Sequence, residues 1–253
     1  MRSALAVAAV ELRVLRRDIT PVLVMVIIPL LFVPFLTPGM EALLRSQGYP
    51  PGSGVQYVVP ALAVLFALLN GQQFLTALYR DRHWGIWERL RLAGTSTASV
   101  LLGKALPGVA VHCAQLLTVL AGGALLFGYH PTGAMAGIGL VALLFAVAMA
   151  AFALALFALC GTESQAMAWV NILGMAMAGL GGAFGPVSAL PHWMQVAALG
   201  SPAYWALRAI TTLSLDDAPL REVAMPCVVL VGCAAVFFGA AVLALRVRSK
   251  ESQ

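Results

Sequence analysis

The sequence predicts an all-α membrane protein with six transmembrane helices, and two observations support this fold class. Of the 253 residues, 61% are hydrophobic and only 10% are charged, whereas an average soluble domain is about 25% charged. Five windows of 22 to 58 residues contain no Asp, Glu, Lys or Arg, and each exceeds the roughly 20 residues that a spanning helix needs. A soluble fold is excluded because too few polar residues remain to cover its surface. The windows cover 19–40, 46–79, 105–162, 164–207 and 223–245.

Proline and glycine divide the first windows into two spans. Span one is predicted at Ile19–Thr37, with Pro34 and Pro38 marking its far end. A turn-rich stretch at Gly48–Gly54 then precedes span two, at about Val55–Leu78.

The 58-residue window is long enough for two spans, and Gly128–Gly133 supplies a loop in its middle. A second polar break, Thr162–Ser164, separates the next span. Spans three to six are therefore predicted at about Val100–Phe127, Ala134–Cys160, Gln165–Phe184 and Met225–Leu245.

Residues 185–224, between spans five and six, are too apolar for an ordinary loop. We predict two short helices there, at Pro191–Gln195 and Ser201–Trp205, that lie on or dip into the outer leaflet. The side chains expected at that interface are Trp193, Tyr204 and Trp205.

The basic residues are distributed unequally between the two sides of the membrane. With six spans, twelve of the fifteen fall on the side that the two termini share, and Arg45, Arg208 and Arg221 fall on the other. Cytoplasmic segments carry the excess of Lys and Arg. Both termini and the charged segment Arg80–Lys104 are therefore predicted to be cytoplasmic.

Residues 80–99 are predicted to form a docking segment for a soluble protein. Ile86, Leu90 and Ala93 are at helical spacing and form an apolar stripe. A solvated loop that follows the positive-inside rule would explain the arginines of this segment, but not the stripe or its two tryptophans. The residues predicted to make the contact are Arg80, Arg82, Trp84, Ile86, Trp87, Glu88, Arg89, Leu90 and Arg91.

Residues 1–18 are predicted to form an interfacial helix on the anionic cytoplasmic leaflet. Valines at helical spacing alternate with basic residues, a pattern that suits contact with membrane lipid. An ordinary positive-inside flank is the overlapping alternative. The basic residues concerned are Arg13, Arg16 and Arg17.

The sequence offers little for enzymatic chemistry. No GxxxxGK[ST] phosphate loop occurs in these 253 residues, since Gly103–Lys104 is followed by Ala105. The four histidines and four cysteines show no metal-ligand spacing. We therefore predict a single domain over residues 1–253 that is a transport subunit rather than an enzyme, with no metal or cofactor and no nucleic-acid partner.

Polar groups inside the predicted spans are neutral. All ten acidic residues are expected outside the spans, which argues against an ion-coupled carrier because such carriers relay ions through intramembrane acids. Interhelical hydrogen bonds worth about 1 kcal/mol explain the neutral groups most simply. The alternative is a lining of a substrate path by Asn70, Gln73, Phe74, Asn171 and Met175.

Span five carries small residues four positions apart: Gly174, Ala178 and Gly182. Such a face permits close approach of another helix. That helix belongs either to a second copy of a membrane subunit or to the same bundle, and the sequence leaves both open.

Three places in the chain resemble the membrane subunit of an ABC-2-type exporter of the daunorubicin-resistance permease kind. Leu12–Asp18, before a proline-containing span, resembles the interfacial connecting helix of that family. Glu88–Arg91 followed by Ala98–Lys104 resembles its cytoplasmic signature, although Gly94 stands where the family usually has proline. Residues 191–204 resemble its outer re-entrant element.

The resemblance implies that Arg80–Ala93 contacts a separate cytoplasmic ATPase, which binds the ATP and Mg²⁺. It also implies pairing with a second permease chain, as a homodimer or heterodimer, with spans one, two and five around the path, in the cytoplasmic membrane of a bacterium. The expected function is export of an apolar or amphipathic drug, antibiotic or lipid. The alternatives are an exporter of a lipid-linked glycan, an ion-coupled carrier and a membrane assembly partner without cargo.

Overall fold

The computed structural model describes residues 20–86, 89, 97–131, 135–216 and 218–251, and its regular elements are all helical within those ranges. Two 3-10 turns, Val187–Ala189 and Leu220–Val223, accompany the α-helices. The α-helices are α1 Thr20–Ser46, α2 Ser53–Leu69, α3 Gly71–His83, α4 Thr97–Phe127, α5 Met135–Leu159, α6 Glu163–Leu180, α7 His192–Ala198, α8 Pro202–Leu215 and α9 Ala224–Glu251.

Five helical runs in this described part are long and apolar enough to cross a membrane, so the chain is an all-helical, multi-pass membrane protein. They correspond to predicted spans one to four and six. Helix α6, the predicted fifth span, has 18 residues, begins with a charged Glu163, and is not among the five. A crossing by α6 therefore stays a prediction. The five runs are Val24–Ser46, Ser53–His83, Ser99–Phe127, Met135–Leu159 and Leu220–Val247.

The predicted end of span one at Thr37 is wrong. Helix α1 runs through Pro34 and Pro38 and ends only at Ser46. A proline in a helix leaves the carbonyl four residues earlier without its N–H partner. Membrane helices tolerate this loss because neighbouring groups make up the missing hydrogen bond.

Pro29 of α1 shows such a replacement. Its missing N–H frees the carbonyl oxygen of Met25, and Gln115 of α4 donates to that oxygen from Nε2 at 3.4 Å. Gln115 is fully buried. A polar side chain of span three thus supplies the hydrogen bond that the backbone of span one lacks.

The turn between α1 and α2 is held by one carboxylate. Glu41 accepts hydrogen bonds from the backbone N–H groups of Gly52 at 2.8 Å and Gly54 at 2.7 Å. These groups lie at the start of α2, where the helix leaves N–H groups unpaired and concentrates positive charge. Gly54 permits the approach, because a Cβ there would lie 2.9 Å from the carbonyl oxygen of Thr37.

Two adjacent glycines bring α4 into contact with both α1 and α2. A Cβ on Gly122 would lie 2.7 Å from a methyl group of Leu30, and one on Gly123 would lie 2.3 Å from a methyl group of Val59. Such distances are too short for any side chain. The glycine pair therefore sets the packing of these three helices.

Helix α5 lies at the centre of the bundle and packs along α9 and against α4 and α8. Its side chains are buried along most of its length, including Phe145, Leu154 and Phe157. The core has two parts. One joins α2, α5 and α8, and the other surrounds the ends of α3 and α5 and the start of α4, where the docking segment leaves the bundle.

Two helices, α7 and the longer α8, occupy the stretch between predicted spans five and six, and a position of these helices on or in the outer leaflet stays a prediction. Trp205 is only 8% exposed, and its Nε1 donates to the carbonyl oxygen of Leu199 at 2.8 Å, so this side chain packs within the bundle. Trp193 is 65% exposed, as an interface residue would be. Tyr129 ties α8 to the loop before α5 through a 2.6 Å hydrogen bond to Ser214, and burial raises its pKa to about 12.

Candidate coupling site

The helix that contains Arg80 and Arg82 is the end of α3, which is continuous with span two. The predicted apolar stripe of this segment lies largely outside the described residues, because Leu90 and Ala93 are not among them. Helix α3 ends at His83 with Trp84 as its C-cap, and Gly85 adopts a positive φ of 65° that residues other than glycine rarely tolerate. The docking segment thus starts with a helix end and a sharp turn.

Three of the predicted contact residues present exposed side chains beside this turn: Arg82, Trp84 and Arg89. Arg80 lies with its guanidinium carbon 5.4 Å from the centre of the Trp84 ring, and Arg82 lies 6.0 Å from that of Phe157. Cations over aromatic faces are held in place by the ring quadrupole. Ile86 is half-buried. Outside the described residues lie Trp87, Glu88, Leu90 and Arg91, and also Arg13, Arg16 and Arg17 of the predicted interfacial helix.

A buried ion pair lies at the base of the docking segment. Asp81 of α3 accepts a hydrogen bond from Nζ of Lys104 of α4, and the two side chains are 6% and 4% exposed. Asp81 lies near the end of the membrane-length run Ser53–His83, and its ion pair with Lys104 was not predicted from the sequence. Charge counting along the chain missed it, because the neutralising cation lies on another helix. The sequence did offer one signal for this pair, since Asp81 and Lys104 stand at the two ends of the charged segment.

The same end of α3 is also attached to α5. The hydroxyl of Tyr79 donates to the carbonyl oxygen of Cys160 at 3.3 Å, and its ring meets Phe157 edge-to-face at 4.9 Å. Tyr79 is only 3% exposed. Contacts within a single turn therefore join α3 to both neighbours, with Tyr79 facing α5 and Asp81 facing α4.

The residues predicted to line a substrate path do not share one environment. Asn70 is buried, Phe74 packs on α4 with its ring 6.4 Å from His112, and Gln73 is exposed. Asn171 of α6 accepts a 2.5 Å hydrogen bond from Gln72 of α3. That bond is the interhelical contact that the simpler interpretation of these residues predicts. Met175 is 44% exposed on α6.

The small-residue face of α6 lies against α2 of the same chain. Gly174 faces Leu68 of α2, with its Cβ position 3.8 Å away, and Ala178 is fully buried. Gly182, just beyond α6, has its carbonyl oxygen 2.7 Å from the donating hydroxyl of Tyr57. Packing within one bundle accounts for these residues, and a dimer contact at this face stays a prediction.

No cluster of three or more His, Cys, Asp or Glu side chains suited to a metal ion occurs among the residues that the structure describes.

Comparison with known proteins assigns the family. The profile described as "ABC-2 family transporter protein" matches residues 37–243, which is most of the chain. The chain belongs to the ABC-2 transporter family. The resemblance seen at Glu88–Lys104 and its flanking motifs is thus confirmed at the level of the family.

Two relatives place this ABC-2 chain among permeases. It is 28% identical to the linearmycin resistance permease protein LnrN of Bacillus subtilis strain 168 over 184 residues, which are 73% of this chain and 48% of that protein. It is also 28% identical over 161 residues to the Escherichia coli K12 protein named "Probable multidrug ABC transporter permease YbhR", covering 62% of this chain and 44% of that protein. The chain spans about half the length of the curated relatives it matches. Both are transport components rather than enzymes.

Proposed function

We propose that this chain is the transmembrane subunit of an ATP-driven exporter that moves apolar or amphipathic molecules out of the cell. Membership of the ABC-2 family over residues 37–243 is the observation that supports this most. The names of the two relatives refer to linearmycin resistance and to multidrug transport. Because these 253 residues contain no phosphate loop, ATP and Mg²⁺ would bind a separate ATPase.

The ATPase would dock on residues 80–99. Arg82, Trp84 and Arg89 are exposed there, and cations with an aromatic ring are typical anchors of protein interfaces. The unequal distribution of basic residues supports a cytoplasmic position for this segment and both termini, in the cytoplasmic membrane of a bacterium. Movement of the bound ATPase would displace α3 and α4, between which the segment runs.

An apolar cavity of about 250 Å³ supports an apolar or amphipathic cargo. It lies between α1, α2 and the turn after α6, which are the elements of spans one, two and five. A second permease chain, identical or different, would close the path from the other side. The cavity is lined mainly by Leu36, Met40, Leu43, Val58, Leu62 and Phe184.

Reconstitution tests the proposal. The chain is co-expressed with a candidate ABC ATPase subunit, and the purified complex is placed in liposomes that contain a fluorescent phospholipid or a fluorescent amphipathic cation. We expect movement of at least one probe that requires ATP hydrolysis. The matched control replaces the phosphate-loop lysine of the ATPase. Movement that survives this control, or that follows a proton gradient instead of ATP, contradicts the proposal.

A further inference from the structure

The helices on the two sides of the docking segment meet at few points. Among the described residues, the backbones of α3 and α4 approach each other only sparsely. Phe74 of α3 packs on Gly108 of α4 in the middle of the helices. Near the docking segment, the long side chain of Lys104 reaches across to Asp81.

The burial of this pair is unlike that of the other ion pairs in the described part of the chain. Asp81 and Lys104 are both nearly inaccessible, whereas the side chains of Arg221 and Glu222 are 84% and 55% exposed. Removing two charges from water is costly, and apolar residues of similar volume in their place are often neutral or stabilising, so stability alone does not favour such a pair. A buried ion pair does fix one arrangement, because each charge is strongly penalised without the other.

We propose that Asp81 and Lys104 are positioning residues that bind the ends of α3 and α4 into one unit, so that a displacement of the docking segment moves both helices together. This inference rests on the proposed function. Tyr79 attaches the same end of α3 to Cys160 at the end of α5. A push on the exposed Arg82 and Trp84 is therefore delivered through α3 to both of its neighbours. Without the ion pair, α3 moves and α4 stays behind.

The pair forms where such a connection is effective. Asp81 precedes Lys104 by 23 residues, and the docking segment lies almost wholly between them. The ion pair therefore connects the two ends of the docking segment to each other.

The experiment measures molecules transported per ATP hydrolysed, the ATPase rate and the melting temperature of the reconstituted complex. The single variants are Asp81→Asn and Lys104→Met. One double variant exchanges the charges (Asp81→Lys with Lys104→Asp), and another makes the pair apolar (Asp81→Leu with Lys104→Met). The matched control is Arg221→Gln, which removes an exposed ion pair elsewhere.

We expect each single variant to lower transport per ATP about tenfold, within the usual range of coupling between two sites, while ATP is still hydrolysed. The charge exchange restores the ratio, because it restores the directional bond. The apolar pair restores the melting temperature but not the ratio, since apolar side chains slide past each other. The control variant behaves as the wild type.

Two results overturn the inference. The first is an apolar pair that restores transport per ATP together with the melting temperature, which makes the role of Asp81 and Lys104 purely structural. The second is a charge-exchanged protein that folds but stays uncoupled. If single variants fail to fold, the two double variants still decide. Failure of the proposed function looks different: the wild-type complex then shows no ATP-dependent transport at all.

Discussion

Gln115 has a structural role that depends on a proline in another helix. Its amide donates to the carbonyl oxygen of Met25, which Pro29 has left without a helical partner. The sequence shows a polar residue in a span and a proline in another, but not that the two are connected. That connection depends on how α1 and α4 pack, and the glycine pair of α4 determines this packing.

A double-mutant cycle tests the connection. Gln115→Leu leaves the Met25 carbonyl unpaired, whereas in a Pro29→Ala background the restored N–H satisfies it. We expect a coupling energy of about 1 kcal/mol between the two positions, a typical value for interhelical hydrogen bonds. The free energy of unfolding of the wild type, both single variants and the double variant is measured in detergent. Additive effects would show that the two residues are independent.

Helix α4 is placed by close contacts of its glycines, so its position is sensitive to a single methyl group. Gly123→Ala puts a Cβ 2.3 Å from a methyl group of Val59. We expect a loss of about 1–3 kcal/mol in the free energy of unfolding, as for other overpacked sites. Gly139→Ala in α5 is the matched control, since nothing lies within 4 Å of its Cβ position. The control should be neutral or stabilise by up to about 1 kcal/mol, because alanine favours the helix. Equal effects of the two changes would contradict this account.

The docking segment is the element on which transport would depend most. Replacing both Glu88 and Arg91 by alanine is expected to lower transport per ATP hydrolysed about tenfold, since both belong to the predicted ATPase contact. The control is Arg208→Ala, because the distribution of basic residues predicts that Arg208 lies on the other side of the membrane from the docking segment. Drug export at the wild-type level in the Glu88 and Arg91 variant would count against docking at this segment.

Helix ends were the least predictable elements, for a physical reason. Pro34 and Pro38 indicate a helix end in water, where freed carbonyls bind solvent, yet α1 continues through both. The break that does occur lies at Gly85, which adopts a positive φ. The sequence alone does not show which of the 24 glycines adopt this conformation. Spans two to four and six were predicted to within a few residues, because their apolar length is a property of the sequence itself.

At the scale of the whole molecule, the number of crossings depends on α6. If α6 spans the membrane, Gly161 before it and Trp193 after it lie on opposite sides. We expect single cysteines at these positions, in a background without the four native cysteines, to react with an impermeant thiol reagent from opposite sides. A cysteine replacing Trp84 should react from the same side as Gly161→Cys. Labelling of Gly161→Cys and Trp193→Cys from one side contradicts the six-span layout.

The fold class and family follow from properties summed over the chain, such as charge-free length and the order of motifs. The site depends instead on single contacts between helices. Asp81 and Gln115 are both polar residues whose partners lie on other helices, and neither partner can be found by reading along the sequence. The exposed Arg82 and Trp84 could be predicted as contact residues because the sequence itself shows a charged segment between two apolar windows.

The buried ion pair also imposes an order on the synthesis of the protein. Asp81 is made 23 residues before Lys104, so at about 5–20 residues per second its carboxylate waits roughly one to five seconds for the lysine. An unpaired carboxylate is strongly disfavoured inside the bilayer. We therefore expect the end of α3 to stay at the membrane surface until α4 has been translated. On this expectation the two helices enter as a hairpin, and Asp81 pairs with Lys104 in the last step.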